Sequence, residues 1–116
     1  MTISLKRVYE PSVSQDGYRV LVDRLWPRGL SKDEIKIDAW LKEAAPSNQL
    51  RKSFHSGELD WNEFRKKYLS ELKNHRDKLR NLVKRSQEEP VTLLFSSKNE
   101  THNNAVVLKQ YLKMLG

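Results

Sequence analysis

The sequence predicts a single α/β domain with a small, mostly parallel sheet that is packed by helices in a three-layer-like arrangement. Two short apolar runs, at 20–22 (VLV) and 91–95 (VTLLF), have the composition of buried strands. Each run ends in a polar loop, and each loop leads to a pattern typical of a helix start. A chain of 116 residues is long enough for one hydrophobic core, so we expect residues 1–116 to form one domain.

Three strands are predicted, at 3–8, 18–25 and 91–96. The third is bounded by a proline and two serines, and its uninterrupted apolar character indicates a central strand. The loop at 9–17 has nine residues, which is short for a crossover between parallel neighbours. The first two strands are therefore expected either to form a hairpin or to lie in non-adjacent positions, and their relative direction stays open.

Short helices are predicted between the second and third strands. Ser31 and Glu34 form a capping-box pattern that opens a short helix or turn. Asp38 is expected to cap a second short helix that carries the apolar residues of 39–45 and ends at the following proline. Ser47 is expected to begin a third.

Two longer helices complete the predicted fold. The clearer one covers about 60–86, where Asp60 and Glu63 form a capping pair and apolar residues recur at three- and four-residue intervals. The other covers about 101–115, capped by Thr101, and presents an apolar face to the core. No internal repeat or domain boundary interrupts the pattern.

Charge indicates the kind of partner. The net charge of +7 and the pI near 9.7 favour anionic molecules, such as phosphates or nucleic acid. Nine basic and four acidic residues lie between Asp60 and Arg85, so most of the excess falls on the predicted long helix. We expect a cytoplasmic protein without a membrane partner, because the chain has no cysteine, no signal-peptide pattern and no run of roughly 20 apolar residues.

The first candidate site follows the second strand and reads DRLWPRG at 23–29. Asp23 is a candidate for proton transfer, and Arg24 and Arg28 are candidates for holding an anion. The Pro-Arg-Gly turn presents the Arg28 guanidinium, which suits bidentate binding of phosphate or carboxylate. Structural roles remain open for Asp23 and Arg24, either as a strand-end ion pair or with Arg24 bound to a carbonyl at the end of a helix.

The second candidate site follows the third strand and reads SSKNETHNN at 96–104. His102 is a candidate general acid or base, because an unperturbed imidazole titrates near neutral pH. A helix start also offers backbone N–H groups to an anion. The other candidate ligand-binding residues in this stretch are Ser96, Ser97, Lys98, Asn103 and Asn104.

If the two strands are parallel, both stretches are expected to lie at the same edge of the sheet. In parallel α/β sheets, ligands bind at this edge, beyond the carboxyl ends of the strands. Structural alternatives stay open here as well. The asparagines could satisfy loop backbone groups, and His102 could order the loop. His55 and His75 are separated in sequence, so no metal site is expected, and the chain contains no motif for a cofactor.

Several motifs along the chain resemble the small YeaO-like branch of the DUF488 family. They are DRLWPRG at 23–29, Ala45-Pro46, LRK at 50–52 with Phe54, EFRKKY at 63–68, and THNNAVVL at 101–108. The resemblance covers nearly the whole chain and implies a cytoplasmic α/β domain, but no activity, because the family is uncharacterised. The wider family usually has a Cys at the end of the last strand and Cys-His-Arg at the last helix. In this chain the matching positions look like Phe95 and Thr-His-Asn at 101–103. The resemblance therefore does not imply thiol or metal chemistry for this chain.

Two functions follow from these patterns. In the first, the chain binds a small anionic ligand at the strand ends, and conversion of that ligand by the chain stays open. In the second, it is a nucleic-acid-binding or regulatory module that uses the basic helix at 60–86. A concave pocket lined by Asp23, Arg28 and His102 would favour the first, and steeply salt-dependent binding of DNA or RNA would favour the second.

Overall fold

A computed structural model describes residues 2–116 of the chain. Four strands within these residues form one sheet: β1 (Ile3–Arg7), β2 (Tyr18–Leu21), β3 (Ala39–Trp40) and β4 (Val91–Phe95). Their order is β1-β4-β2-β3, and every neighbouring pair is parallel. The predicted parallel sheet is confirmed, and β4 lies inside it, as its apolar run indicates. The first two strands are parallel and non-adjacent, with β4 between them.

The sheet is packed by helices on both sides. Within the described residues the α-helices are α1 (Lys32–Ile35), α2 (Asn48–His55), α3 (Trp61–Leu72), α4 (Arg76–Glu88) and α5 (Asn104–Leu115). Short 3-10 turns occur at Ser14–Asp16, Lys42–Ala44 and Lys73–His75. None of these helices is long and apolar enough to cross a membrane.

Strand β3 corrects the prediction of a helix at 39–45. Asp38 does not cap a helix; its Oδ2 accepts a hydrogen bond from the Arg19 backbone N–H at 2.8 Å, and its own N–H donates to the Arg19 carbonyl at 2.8 Å. Leu41 continues the pairing by donating to the Leu21 carbonyl. These bonds dock the segment along β2, and only Lys42–Ala44 forms a helical turn.

The predicted long helix is present as a helical segment from 61 to 88 that is divided into α3 and α4. The expected cap is formed, since the Asp60 side chain accepts from the Glu63 N–H at 2.8 Å. The division lies at the 3-10 turn Lys73–His75, where His75 leaves α-helical geometry with φ −116° and ψ 20°. The apolar stripe of the segment therefore packs as two helices.

The last helix begins three residues later than predicted. The expected cap, Thr101, lies outside it, and Asn103 is the N-cap, since its side chain accepts from the Val106 N–H at 3.0 Å. The Thr101 and His102 N–H groups donate instead to the side chain of Asn99. Asn99 thus folds the preceding loop into a compact turn.

The two faces of the sheet bury different clusters, because successive strand residues point to opposite sides. Val20 and Leu93 lie in the larger cluster with apolar residues of α2, α3, α4 and α5. Leu21 and Leu94 lie in a smaller cluster with Ile35 of α1 and two neighbouring tryptophans. The three layers are therefore the four larger helices, the sheet, and α1 with its flanking loops.

A buried ion pair joins Asp16 to Arg19 at the start of β2, and both residues are less than one-tenth exposed. Lys6 adds a second cation, with its Nζ 3.1 Å from the Asp16 carboxylate. The remaining Arg19 nitrogens donate to the carbonyls of Ile35 and Lys36 at 2.9 Å. Burial alone would raise the pKa of Asp16, but hydrogen bonds from the Val13 N–H, Lys6 and Arg19 outweigh it and hold that pKa below its usual value.

Candidate functional site

A cavity of about 340 Å³ lies beyond the carboxyl ends of β2 and β4. This volume is at the lower end of the range typical of small-molecule sites. Its walls come from the loop after β2, from α2, and from the loop that joins β4 to α5. We call it the strand-end cavity. Parallel pairing of β2 with β4 brings these separate parts of the chain to one edge of the sheet.

The floor of the strand-end cavity is formed by Asp23, Ser96 and Asn104. Asp23 Oδ2 accepts from the Ser96 N–H at 2.9 Å and from the Ser96 hydroxyl at 2.7 Å. Its Oδ1 accepts from the Asn104 side-chain amide at 3.0 Å, and that amide also donates to the Val22 carbonyl at 3.0 Å. Three elements, β2, β4 and α5, are thereby joined at one carboxylate.

Arg24 is tied to the backbone beside the cavity. Its Nε donates to the Pro46 carbonyl at 2.7 Å and its Nη2 to the Ala45 carbonyl at 3.2 Å. The neighbouring carbonyl of Ala44 accepts from the buried Tyr68 hydroxyl at 2.6 Å. Burial first, and then the charges of Asp23 and Glu71, raise the pKa of Tyr68 well above its usual value, so its hydroxyl stays a proton donor. The alternative role, in which Arg24 holds helix-end carbonyls, is therefore present in the structure.

Arg28 lies at the mouth of the cavity on an exposed turn. Its backbone carbonyl accepts from the Tyr9 hydroxyl at 3.0 Å, which anchors the turn to the loop after β1. Its guanidinium forms no hydrogen bond with another residue in the part of the chain that the structure describes. The Arg28 charge is therefore available to a molecule in the cavity.

Arg51 is a cavity residue that sequence reasoning missed. It lies on α2, one turn before His55, and both side chains line the cavity. The Arg51 Nε is buried and finds no hydrogen-bond partner among residues 2–116. A spacing of four places two residues on one face of a helix. The spacing of Arg51 and His55 was thus the sequence signal that could have identified Arg51 as a site residue. The local sequence does not show, however, that this face of α2 turns toward the strand ends.

His102 also lines the cavity, and its ring is held by Trp61. The two rings are stacked, with centroids 4.7 Å apart and planes inclined by 11°. The His102 backbone is fixed separately, because its N–H donates to Asn99 Oδ1 at 2.9 Å. The imidazole is exposed and borders the cavity. Position and orientation are thus both restrained at this residue.

The remaining predicted residues have different positions. Ser97 and Asn103 line the cavity, although Asn103 is occupied as the α5 cap. The carbonyls of Ser96 and Ser97 accept from the Arg7 guanidinium at 3.1 and 2.9 Å. Lys98 is exposed and is not part of the cavity lining. The structure therefore brings eight of the nine predicted site residues to one cavity and leaves Lys98 outside it.

The lining of the strand-end cavity carries an excess of positive charge. It contains three arginines and two histidines, against one carboxylate. That carboxylate, Asp23, is satisfied by Ser96 and Asn104 in the floor. No group of three or more acidic, histidine or cysteine side chains among residues 2–116 is arranged to hold a metal ion. The cavity is chemically suited to a compact anion held by guanidinium groups.

Comparison with known proteins places the chain among uncharacterised relatives. Residues 2–115 match a family model described as "Inactive DUF488-N3 subclade". The chain is 48% identical over 115 residues to the uncharacterized protein YeaO of Escherichia coli (strain K12), covering 99% of this chain and 100% of that protein. It is 38% identical over 112 residues to the uncharacterized protein Rv3073c of Mycobacterium tuberculosis (strain ATCC 25618 / H37Rv), covering 95% and 92%. No solved structure matches it at a significant level.

Proposed function

The chain belongs to the DUF488 family, as its motifs indicate, and from this premise we propose that it binds a small anionic molecule in the strand-end cavity without converting it. The ligand carries a phosphate or carboxylate group. Arg28 and Arg51 bind that group, and the Asp23 floor keeps the cavity in shape. The proposal concerns binding first, because the Arg28 guanidinium is free for a ligand and the Asp23 carboxylate, a proton-transfer candidate, is occupied.

The observation that carries the proposal is the state of the cavity arginines. Arg28 is exposed at the mouth with its guanidinium unpaired, and Arg51 keeps a buried Nε without an acceptor; both statements concern residues 2–116. A buried donor without a partner costs about 1–3 kcal/mol, and more when it is charged. A bound anion near the Arg51 guanidinium offsets part of that cost by charge attraction.

Catalysis has weaker support from the same geometry. Asp23 accepts three hydrogen bonds from Ser96 and Asn104, so it is poorly placed to take a proton from a ligand. Tyr68 is buried with a raised pKa and donates to a carbonyl. His102 remains the one predicted proton-transfer candidate with an exposed ring. The description of the family model as an inactive subclade agrees with a binding role.

The proposal is tested by thermal unfolding with inorganic phosphate, pyrophosphate, citrate and acetate as probes. A ligand present at ten times its Kd stabilises the folded state by about 1.4 kcal/mol, which is a rise in Tm of about 5 °C for a domain of this size. We expect at least one probe to raise the Tm of the wild type. Arg28→Ala is expected to weaken the binding of that probe by about 10- to 100-fold, which is the effect of losing one charge-assisted hydrogen-bond pair.

The matched control is Arg80→Ala, which removes an exposed arginine of α4 outside the cavity. It is expected to respond to each probe as the wild type does. If no probe stabilises the wild type, or if Arg28→Ala and Arg80→Ala lose the same amount of affinity, the anion site is not in this cavity.

A second candidate function is nucleic-acid binding by the basic surface of α3 and α4. Exposed cations run along this segment: Lys66, Lys67, Lys73, Arg76, Lys78, Arg80 and Lys84. Arg85 is less available, because it pairs with Glu89 at 3.1 Å and lies over the Tyr18 ring. The test is binding of a DNA or RNA oligonucleotide at several salt concentrations. A steep salt dependence that is reduced in Lys73→Ala/Arg76→Ala but not in Arg28→Ala would favour this second function over the first.

A cytoplasmic location is part of the proposal. The absence of cysteine from the chain agrees with a reducing compartment, where disulfides would not contribute to stability. Fractionation of cells that express the tagged full-length chain is expected to recover it with cytoplasmic markers.

A further inference from the structure

One part of the wall of the strand-end cavity is aromatic. Phe54 of α2 lines the strand-end cavity beside Arg51, and its ring is partly exposed. Its buried side is stacked on Phe64 of α3, with centroids 4.3 Å apart and planes inclined by 21°. The ring also contacts Trp61, with centroids 6.0 Å apart, and the part that stays exposed belongs to the cavity lining. Such a surface suits stacking with a planar ring.

A second aromatic ring stands at the mouth. Tyr9 is 42% exposed, which is high for a side chain of its size, and it lines the cavity. Its hydroxyl donates to the Arg28 carbonyl at 3.0 Å, and the Arg7 guanidinium lies over one part of the ring at 5.0 Å from its centroid. Leu25, which is 55% exposed, extends the same apolar rim. An inorganic anion alone would leave these apolar surfaces in water.

The net charge of the cavity lining favours one kind of anionic group over another. Three guanidinium groups against the single carboxylate of Asp23 leave an excess of two positive charges, before either histidine is counted. A phosphate monoester carries nearly two negative charges at neutral pH, whereas a carboxylate carries one. The cavity charge therefore matches a phosphate monoester more closely.

We propose, building on the anion-binding function above, that the ligand is an aromatic phosphate monoester. Its phosphate lies against Arg28 and Arg51, and its ring lies against Phe54 within the apolar rim. The volume of about 340 Å³ lies within the range typical of small-molecule sites. Nucleoside monophosphates and simpler aryl phosphates share this chemistry.

The inference is tested by calorimetric titration of the full-length chain with phenyl phosphate, cyclohexyl phosphate and inorganic phosphate. Phenyl and cyclohexyl phosphate carry the same anion and rings of similar size, but only phenyl phosphate has a planar π face. We expect phenyl phosphate to bind about 3- to 10-fold more tightly than cyclohexyl phosphate, the range typical of one aromatic stacking contact. Inorganic phosphate is expected to bind more weakly than both.

The variant Phe54→Leu keeps an apolar side chain at the wall and removes its ring. This variant is expected to bind both phenyl phosphate and cyclohexyl phosphate, and to bind them with equal affinity. Tyr18→Leu is the matched control, because Tyr18 is an aromatic residue outside the cavity lining that contacts Arg85. Tyr18→Leu should keep the preference for phenyl phosphate. Circular dichroism and the Tm without ligand check that both variants are folded.

The outcomes separate this inference from the function on which it rests. Equal affinity of the wild type for phenyl and cyclohexyl phosphate overturns the aromatic preference and leaves anion binding intact. Lack of binding by all three probes overturns both. When the preference is found, AMP serves as a fourth probe: tighter binding than phenyl phosphate assigns the ligand to the nucleotides, and weaker binding assigns it to the simpler aryl phosphates.

Discussion

The carboxylate of Asp23 accepts two hydrogen bonds from Ser96, one from the backbone N–H at 2.9 Å and one from the hydroxyl at 2.7 Å. The two residues are 73 positions apart in sequence and follow neighbouring strands. Because Oδ1 of the same carboxylate accepts from Asn104, both oxygens of Asp23 have protein partners. Asp23 therefore connects the ends of β2 and β4 to the start of α5.

This connection predicts that Asp23→Ala destabilises the fold. The substitution leaves donors of Ser96 and Asn104 without their acceptor, and hydrogen bonds to a charged group each contribute about 1.5–3 kcal/mol. We expect a loss of about 2–4 kcal/mol in the free energy of unfolding, measured by urea denaturation. Glu58→Ala is the control, because Glu58 is exposed in the turn after α2, and it should change stability by less than about 0.5 kcal/mol. Equal effects of the two substitutions would contradict the role given to Asp23.

The position of the α5 cap predicts different effects for two neighbouring polar residues. Asn103→Ala removes the acceptor for the Val106 N–H and is expected to cost about 1 kcal/mol of stability. Thr101→Ala removes a side chain that lies before the helix and is exposed, so its cost should be clearly smaller. Denaturant unfolding of both variants distinguishes the two positions. A larger loss for Thr101→Ala would indicate that the helix begins where the sequence pattern places it.

Gly17 is expected to be intolerant of any side chain. It has φ +65°, and a Cβ there would overlap the carbonyl oxygen of Pro90, which also accepts from the Tyr18 N–H. Gly17→Ala should cost about 3 kcal/mol or more, because it combines backbone strain with a steric clash against the backbone. Gly57→Ala is the control: its φ is +84°, but a Cβ there meets open space, so about 1 kcal/mol is expected. Thermal unfolding should show two clearly different Tm losses.

The buried pair of Asp16 and Arg19 predicts a specific dependence of stability on pH. The pKa of Asp16 is lowered in the folded chain, so its contribution to stability is present above the unfolded value of about 3.9 and is lost as the pH falls through the folded value. Asp16→Asn lacks this contribution and leaves Arg19 buried without its anion, at a cost of about 3 kcal/mol at pH 7.

Urea denaturation of the wild type and Asp16→Asn at pH 7, 5 and 3 measures this contribution. The difference between their unfolding free energies should be constant from pH 7 to 5 and smaller at pH 3. Other carboxylates with lowered pKa values, such as Glu34 in its capping box with Ser31, are present in both proteins and cancel in the difference. A difference that grows at pH 3 would contradict the lowered pKa of Asp16.

Local patterns were sufficient for most of the fold. Strands β2 and β4 were predictable because apolar runs between turn residues leave few alternatives, and α3 was predictable because Asp60 and Glu63 mark its start. Strand β3 was not predictable in the same way. Its two residues are held by bonds that Asp38 makes to the backbone of Arg19, and such pairing depends on contacts that sequence spacing does not reveal.

The candidate site was predictable where it follows the strands and unpredictable where it depends on helices. Parallel strand ends bring Asp23 and Ser96 together, and the order of the motifs indicated this. The side chain of Arg51 enters the same cavity from α2, and its direction depends on how α2 packs against α3. Arg24 shows the converse case, since its charge suggested a ligand while its bonds go to the carbonyls of Ala45 and Pro46.

The strand-end cavity has a floor and walls that are held by separate sets of bonds. Asp23, Ser96 and Asn104 fix the floor through contacts among themselves, and none of these bonds involves Arg28 or Phe54. Under the proposed anion-binding function, substitutions in the walls are expected to change which molecule is preferred while the strand ends stay joined. Exchanges on α2 and the loop after β2 can therefore reshape the cavity walls without disturbing the bonds that join the strand ends.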